Sequence, residues 1–205
     1  MMNKGGVFVV AGPSGSGKDT LFKELFKRKP EIKFSISSIT RPMRVGEVEG
    51  EKYNFITREK FLNMLENDEL LEYNEYIGNY YGTPKAPVIA AIEKGEDILI
   101  EVDVNGAKEI CQKLPEAITV FIMPPSYQEL KRRLSGRGTE TQDLIDKRMK
   151  EALNEIARAT EFDYIVVNDD LQVAVDDIIE VMSSSRLAIK RQKKLINGVL
   201  SNVES

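Results

Sequence analysis

Histidine is missing from all 205 residues. Its absence excludes Ser-His-Asp and Cys-His nucleophiles, imidazole-ligated metals and proton shuttling by imidazole. Cysteine is nearly missing too. Cys111 stands alone, so no internal disulfide and no thiolate-rich zinc site can form. No apolar stretch approaches the roughly 18 residues of a membrane span, and Val7–Ala11 is too short for the core of a signal peptide. Nor does one sign of charge dominate. Lysine plus arginine number 29 against 33 aspartate plus glutamate, a net charge of −4, which argues against a nucleic-acid coat and a polybasic membrane binder. These absences point to a reduced, cytoplasmic setting with no nucleic acid and no membrane as partner. They leave carboxylates, lysine, arginine, hydroxyls and backbone to carry any chemistry.

At 41% hydrophobic and 30% charged, the composition is that of a globular protein, and the length suits a single domain over 1–205. Short β-branched runs at Val7–Ala11, Ile98–Val102, Ile118–Met123 and Tyr164–Val167 read as buried strands. Helical stripes lie between and after them. One is Leu21, Phe22, Leu25 and Phe26; a second is Met149, Ala152, Leu153, Ile156 and Ala157; a third is Leu171, Val175, Ile178, Ile179 and Met182. Strands alternating with helices predict an α/β fold around a parallel sheet. From about Phe34 to Gly82 the texture changes to Ser, Thr, Tyr, Asn and Glu with short alternating patches, as in a small mixed or antiparallel insertion that carries a binding surface. The basic tail from Arg186 onward reads as a solvated C-terminal helix whose cations suit the helix dipole.

Gly12-Pro13-Ser14-Gly15-Ser16-Gly17-Lys18 follows the first strand and precedes a helix. That context is the one a phosphate-binding Gly-x4-Gly-Lys loop requires. Its backbone N–H groups converge, the helix N-terminus adds partial positive charge, and Lys18 can reach the outer phosphates of a nucleotide. The position after Lys18 commonly holds a hydroxyl that contacts Mg²⁺; here it is Asp19, followed by Thr20. Asp19 can hold the metal through water or simply favour the helix N-terminus.

Phosphoryl transfer needs positioning and charge neutralisation more than acid/base chemistry. A phosphate acceptor has its second pKa near about 6 and is largely dianionic at neutral pH, so it needs no general base. It does need cations, and arginine supplies planar, bidentate ones. Arg41 and Arg44 lie in the polar insertion; Arg132, Arg133 and Arg137 precede Arg148, with Gly136 and Gly138 around Arg137 as in a mobile lid loop. Any one of them alone would read as a surface charge.

These stretches, with Ser37-Ser38-Ile39-Thr40-Arg41-Pro42-Met43-Arg44-Val45-Gly46-Glu47, Gly50-Glu51-Lys52-Tyr53-Asn54-Phe55, Gly78-Asn79-Tyr80-Tyr81-Gly82-Thr83, Glu101-Val102-Asp103-Val104-Asn105-Gly106, Gly136-Arg137-Gly138-Thr139-Glu140 and Val167-Asn168-Asp169, resemble the guanylate kinases (ATP:GMP phosphotransferases) along nearly the whole chain. The resemblance implies a P-loop core, a GMP-binding insertion over 35–85, a helical lid over 130–150 and a basic C-terminal tail over 186–205. It also implies ATP and GMP as substrates, Mg²⁺ as cofactor, and a monomer or homodimer. The loop residues Gly12 to Thr20 and Asn168 would hold ATP. Ser37, Glu72 and Thr83 would meet guanine, and Arg41, Arg44, Tyr53 and Tyr81 the GMP phosphate. Glu101 and Asp103 would lie beside GMP, with Asp19, Thr20 and Asp103 near the metal. Lys18, Arg41, Arg133, Arg137 and Arg148 would form the catalytic set.

The chemistry of the base agrees with this. Guanine presents N1–H and N2–H₂ donors side by side, which one carboxylate accepts together, whereas adenine offers a lone pair there. Glu72 would otherwise read as an exposed strand carboxylate, and Tyr80 is best explained by strand packing. Three positions depart from the family's usual pattern: Asp19 in place of Gly, Ser or Thr, Glu101 in place of Asp, and Asn105 in place of Gln. Gly-Lys-Asp is also similar to ribose bisphosphate phosphokinases, which would not need a guanine site. A non-catalytic guanylate-kinase-like interaction module is the reading from another class; such modules usually have a degraded phosphate loop and come attached to other domains.

Overall fold

The computed structural model describes residues 4–135 and 142–201. From the N-terminus the elements run β1 (Val7–Ala11), α1 (Lys18–Arg28), β2 (Lys33–Phe34), β3 (Ser37–Ile39), β4 (Tyr53–Phe55), α2 (Arg58–Glu66), β5 (Leu70–Tyr76), β6 (Asn79–Pro84), α3 (Lys85–Lys94) and β7 (Ile98–Glu101). They continue with α4 (Val104–Lys113), β8 (Ile118–Met123), α5 (Tyr127–Ser135), α6 (Gln142–Ala157), β9 (Tyr164–Val167), α7 (Leu171–Ser184) and α8 (Ile189–Ser201).

Five strands form one parallel sheet in the order β2-β7-β1-β8-β9. β1 is buried along its whole length because both of its faces are covered, which is why it reads as an unbroken apolar run rather than an alternating one. Phe8 and Val10 point into one core with Leu21, Leu25, Val175 and Ile178 from α1 and α7. Val7 and Val9 point the other way, against Val88, Ala107 and Ile110 from α3 and α4. From β1 the chain goes to β2 on one side, beyond β7, whereas from the adjacent β8 it goes to β9 on the other. The crevice above the carboxyl ends of these strands is therefore the topological switch point where an α/β sheet places ligands.

The insertion is a separate four-stranded sheet, β4-β3-β6-β5, with β3 and β4 parallel and the other pairs antiparallel. Its mixed character matches the sequence reading, but its start does not. Phe34 pairs with Leu99 in the parallel sheet, so the insertion's own strands begin at Ser37; a two-residue strand is too short to declare its sheet by periodicity. A register shift in β5 between Leu70 and Tyr73 lets Leu70, Leu71 and Glu72 all be buried in succession. Such a bulge re-aims a side chain, and here it turns Glu72 inward.

The face of α6 also differs from the expected stripe. Ile145, Met149 and Ala152 are buried against Leu130 and Leu134 of α5, with Ile156 partly so, while Leu153 is 43% exposed and Ala157 faces solvent. Most of the covered stripe rests on the short helix α5, and Ile156 also packs against Ala11, Val104 and Phe121. The C-terminal helix is tied to the core rather than only solvated. Lys190 Nζ donates to Asp163 Oδ2 at 2.6 Å and to the Ala117 carbonyl at 2.7 Å, and Arg191 donates to the Lys4 carbonyl at 3.0 Å.

Asp163 Oδ2 also accepts from the backbone N–H and hydroxyl of Thr119 at 2.9 and 3.0 Å. Asp163→Ala is therefore expected to cost about 2 kcal/mol of stability at neutral pH by denaturant unfolding. Burial opposes its ionisation, but Lys190 and Thr119 outweigh burial and hold the carboxyl below its usual value. This stabilisation is thus present above the ordinary carboxylate range and is lost as pH falls through the lowered value.

Candidate active site

The glycine loop joins β1 to α1 at the switch point. Gly15 and Gly17 have φ of 87° and 88°, left-handed values that L side chains rarely adopt. The loop is braced from behind. Asn168, at the end of β9 and only 6% exposed, donates from Nδ2 to the Ser16 carbonyl at 2.8 Å. Arg133 of α5 donates to the Asn168 carbonyl at 3.0 Å and the Ser16 carbonyl at 3.4 Å, and is itself held by Glu129 at 2.7 Å. Lys18 Nζ donates to the Gly12 carbonyl at 2.6 Å and the Pro13 carbonyl at 3.3 Å. Burial lowers its pKa, against the pull of Glu101, Glu155 and Asp19.

Two cavities adjoin there. One, of about 520 Å³, is bounded by the loop residues Pro13, Gly15 and Gly17, by Asp19 and Thr20, and by Arg133 and Asn168. The other, of about 490 Å³, is bounded by Gly12 and by Ser37, Arg41, Arg44, Tyr53, Glu72, Tyr81 and Asp103. Ser14, Lys18 and Glu101 belong to both walls. The sequence-derived donor and acceptor residues thus separate into two compartments that meet at the loop lysine.

In the second cavity Arg41 is 8% exposed and forms a two-pronged pair with Glu47, at 2.7 and 2.6 Å. Its guanidinium also lies 5.4 Å from the Tyr53 ring centroid, a cation–π distance. Hydrogen bonds from Arg41 and the Arg44 N–H hold Glu47 down at about 2. The Arg44 side chain is exposed at the cavity edge.

Glu72 is 7% exposed, and Thr83 behind it is fully buried. The Thr83 hydroxyl donates to Glu72 Oε1 at 2.6 Å, so Thr83 supports the carboxylate. Burial, with the Asp103 charge adding to it, raises Glu72 to about 7 despite Thr83. Gly106 at the start of α4 leaves the needed room, since a Cβ there would sit 3.0 Å from Glu72 Oε2. Asp103 caps α4 through the N–H groups of Asn105 and Gly106, both at 2.8 Å, and its other oxygen accepts from Asn74 Nδ2 at 2.8 Å. Tyr80 stacks on Phe61 at 5.2 Å with Arg58 over its ring, which is strand packing as expected.

Arg148 of α6 donates to the Ser14 hydroxyl at 2.6 Å, bringing this arginine to the wall that the two cavities share. Arg137 lies outside the described residues. The sequence reading placed Glu47 and Lys52 in family-like stretches but gave neither a role; Glu47 is the partner of Arg41, and Lys52 joins Asp19 and Glu101. It missed Glu155, which faces Lys18 from α6 and is raised to about 7, chiefly by burial. Acidic residues in polar segments carry no pattern that would mark them. Among the described residues no three carboxylates or cysteines cluster as a ready-made metal cage.

The sequence profile of the family described as Guanylate kinase matches residues 4–185. A guanylate kinase of Carboxydothermus hydrogenoformans is 47% identical over 190 residues, covering 93% of each chain. One of Clostridioides difficile is 45% identical over 195 residues, covering 95% of each. The crystal structure of guanylate kinase from Anaplasma phagocytophilum superposes with a TM-score of 0.77 at 32% identity, covering 95% of this chain and 93% of that one.

Proposed function

The chain belongs to the guanylate kinase family, and on that premise we infer that its two adjoining cavities hold ATP and GMP end to end. The enzyme transfers the γ-phosphoryl group of ATP to GMP, giving ADP and GDP and returning GMP to the purine nucleotide pool. The observation that carries the residue-level reading is the shared wall: Lys18 borders both the glycine-loop cavity and the cavity containing a buried carboxylate.

Glu72, held by Thr83, accepts the paired N1–H and N2–H₂ donors of guanine, with Ser37 beside it. A buried acceptor of this kind rejects adenine because mismatched polar groups would be left unpaired. Arg41, Arg44, Tyr53 and Tyr81 take the GMP phosphate, and Arg41 exchanges Glu47 for it. The dianionic phosphate is already a competent nucleophile, so no side chain removes a proton. Lys18, Arg133 and Arg148 lie around the phosphates in transfer. Cations fixed in advance help most as charge develops in the transition state. The other reading of Glu72, an exposed strand carboxylate, loses its basis, since this carboxylate is buried.

Mg²⁺ fits the donors present. Asp19, Thr20 and Asp103 offer hard oxygens, with Glu101 on the wall both cavities share, and magnesium commonly takes one or two carboxylates and completes its shell with substrate phosphates and water. When bound it screens the charge between the outer phosphates. We place the reaction in the cytoplasm, in a monomer or homodimer, without nucleic acid or membrane. Among the described residues no helix is long and apolar enough to cross a membrane, and the net charge of −4 argues against a nucleic-acid coat or a polybasic membrane binder.

An ADP-release assay with GMP, AMP and a ribose bisphosphate as alternative acceptors tests the reading. Turnover with GMP at least a hundredfold above AMP, by kcat/KM, is the expected result. Turnover with the sugar phosphate but not GMP would overturn it.

A further inference from the structure

Asp19 puts a carboxylate one residue after the loop lysine, where it faces the cavity bounded by the glycine loop. Left alone, that charge would oppose the phosphates of ATP. It is not left alone. Lys52 Nζ lies 2.6 Å from Asp19 Oδ1 and 2.9 Å from Glu101 Oε2. The three groups come from three elements: Asp19 from α1, Glu101 from the end of β7, and Lys52 from the residue before β4 of the insertion. The ammonium is partly sheltered on the Glu101 side, with the Lys52 side chain 37% exposed and that of Glu101 only 16%, whereas Asp19 is 71% exposed and open to the cavity. Lys52 also borders the cavity containing Glu72, so a single cation touches the acceptor compartment and neutralises a carboxylate of the donor compartment.

We propose that Lys52 is a positioning residue matched to Asp19, cancelling the carboxylate beside the ATP phosphates and fastening the acceptor insertion to the donor loop. The proposal rests on the kinase reading above and adds a residue to it. Two features that look unrelated in sequence, an acidic residue after the loop lysine and a lysine 33 positions later, become one functional pair. An isolated surface ion pair contributes little to folding. The effect expected here is instead on ligand charge: an unmatched carboxylate within several ångströms of a polyphosphate weakens its binding about tenfold at an effective dielectric between protein and water.

The test is a double-substitution cycle with Lys52→Gln, Asp19→Ser and the two combined, reading ATP KM, kcat and the equilibrium Kd for ATP. Lys52→Gln is expected to raise ATP KM and Kd about tenfold with a smaller change in kcat, and Asp19→Ser to lower them about threefold. The double variant, which carries neither charge, should return to about the parent values, whereas independent single effects would multiply to about threefold weaker binding. Lys52→Arg, which keeps the charge, should stay within about threefold of the parent protein. Single effects that multiply in the double variant would overturn the pairing, as would Lys52→Arg behaving like Lys52→Gln. GMP turnover by the unaltered protein is the separate control on the kinase reading. If it failed, the ATP Kd values of the same four proteins would still decide the pairing.

Discussion

Glu72→Gln is expected to lower kcat/KM for GMP by about three orders of magnitude while ATP affinity changes little. The carboxylate offers two acceptor oxygens to two adjacent guanine donors. The amide replaces one of them with a donor, so one N–H of guanine meets another N–H in a buried site. AMP turnover should fall far less, so the GMP-over-AMP ratio narrows. The pH dependence follows with a definite sign. Burial raises Glu72 from 4.5 to about 7, so the accepting, ionised form is incomplete below neutrality. GMP KM should therefore improve as pH rises through about 7 and then level off, and this dependence should vanish in Glu72→Gln. The same shift acts on folding in the opposite sense. Between 4.5 and about 7 the folded chain binds the proton more tightly than the unfolded one, so this group's contribution to stability falls as pH rises across that window. Unchanged GMP kinetics in Glu72→Gln would remove it as the base reader.

Arg148→Ala should reduce kcat by about a thousandfold with ATP Kd changed by less than about fivefold. Its guanidinium reaches the Ser14 hydroxyl at 2.6 Å, on the wall common to both cavities. Charge placed there is worth most as the phosphoryl group passes between the nucleotides, not while ATP rests in its own compartment. Arg148→Lys should restore only part of the rate, because an ammonium lacks the planar fork. Single-turnover measurements with saturating nucleotides separate this effect from binding. An unchanged turnover number would take Arg148 out of the catalytic set.

What was legible in the sequence was what is local. β1, β8 and β9 carry their β-branched composition within a few residues, and the strand–glycine loop–helix order identifies itself without any distant partner. The insertion announced its different composition and proved to be a sheet of its own. What escaped depends on contacts across the chain. Glu72 is buried because a register shift in β5 turns it inward and because Gly106, 34 positions away by number, leaves space beside it. Phe34 belongs to the parallel sheet only through its pairing with Leu99. Leu153 and Ala157 satisfied a helical period, yet the apolar contacts of α6 run along Ile145, Met149 and Ala152 against α5 and through Ile156 to the core beside β1 and β8, so the covered stripe shifted to those residues. Glu47 and Lys52 sit in charged segments that any solvent-facing loop could display. Their partners, Arg41 in one case and Asp19 and Glu101 in the other, are what give them meaning.

The pairing of Arg41 with Glu47 makes the resting acceptor pocket a self-quenched one. On the proposed assignment, a small dianion such as inorganic phosphate or sulfate would have to displace a carboxylate that already fits the fork, and would gain little by it. GMP would make the same swap but also engage Glu72, which lines the same cavity. The one glutamate would thus favour the nucleotide over small anions at this guanidinium.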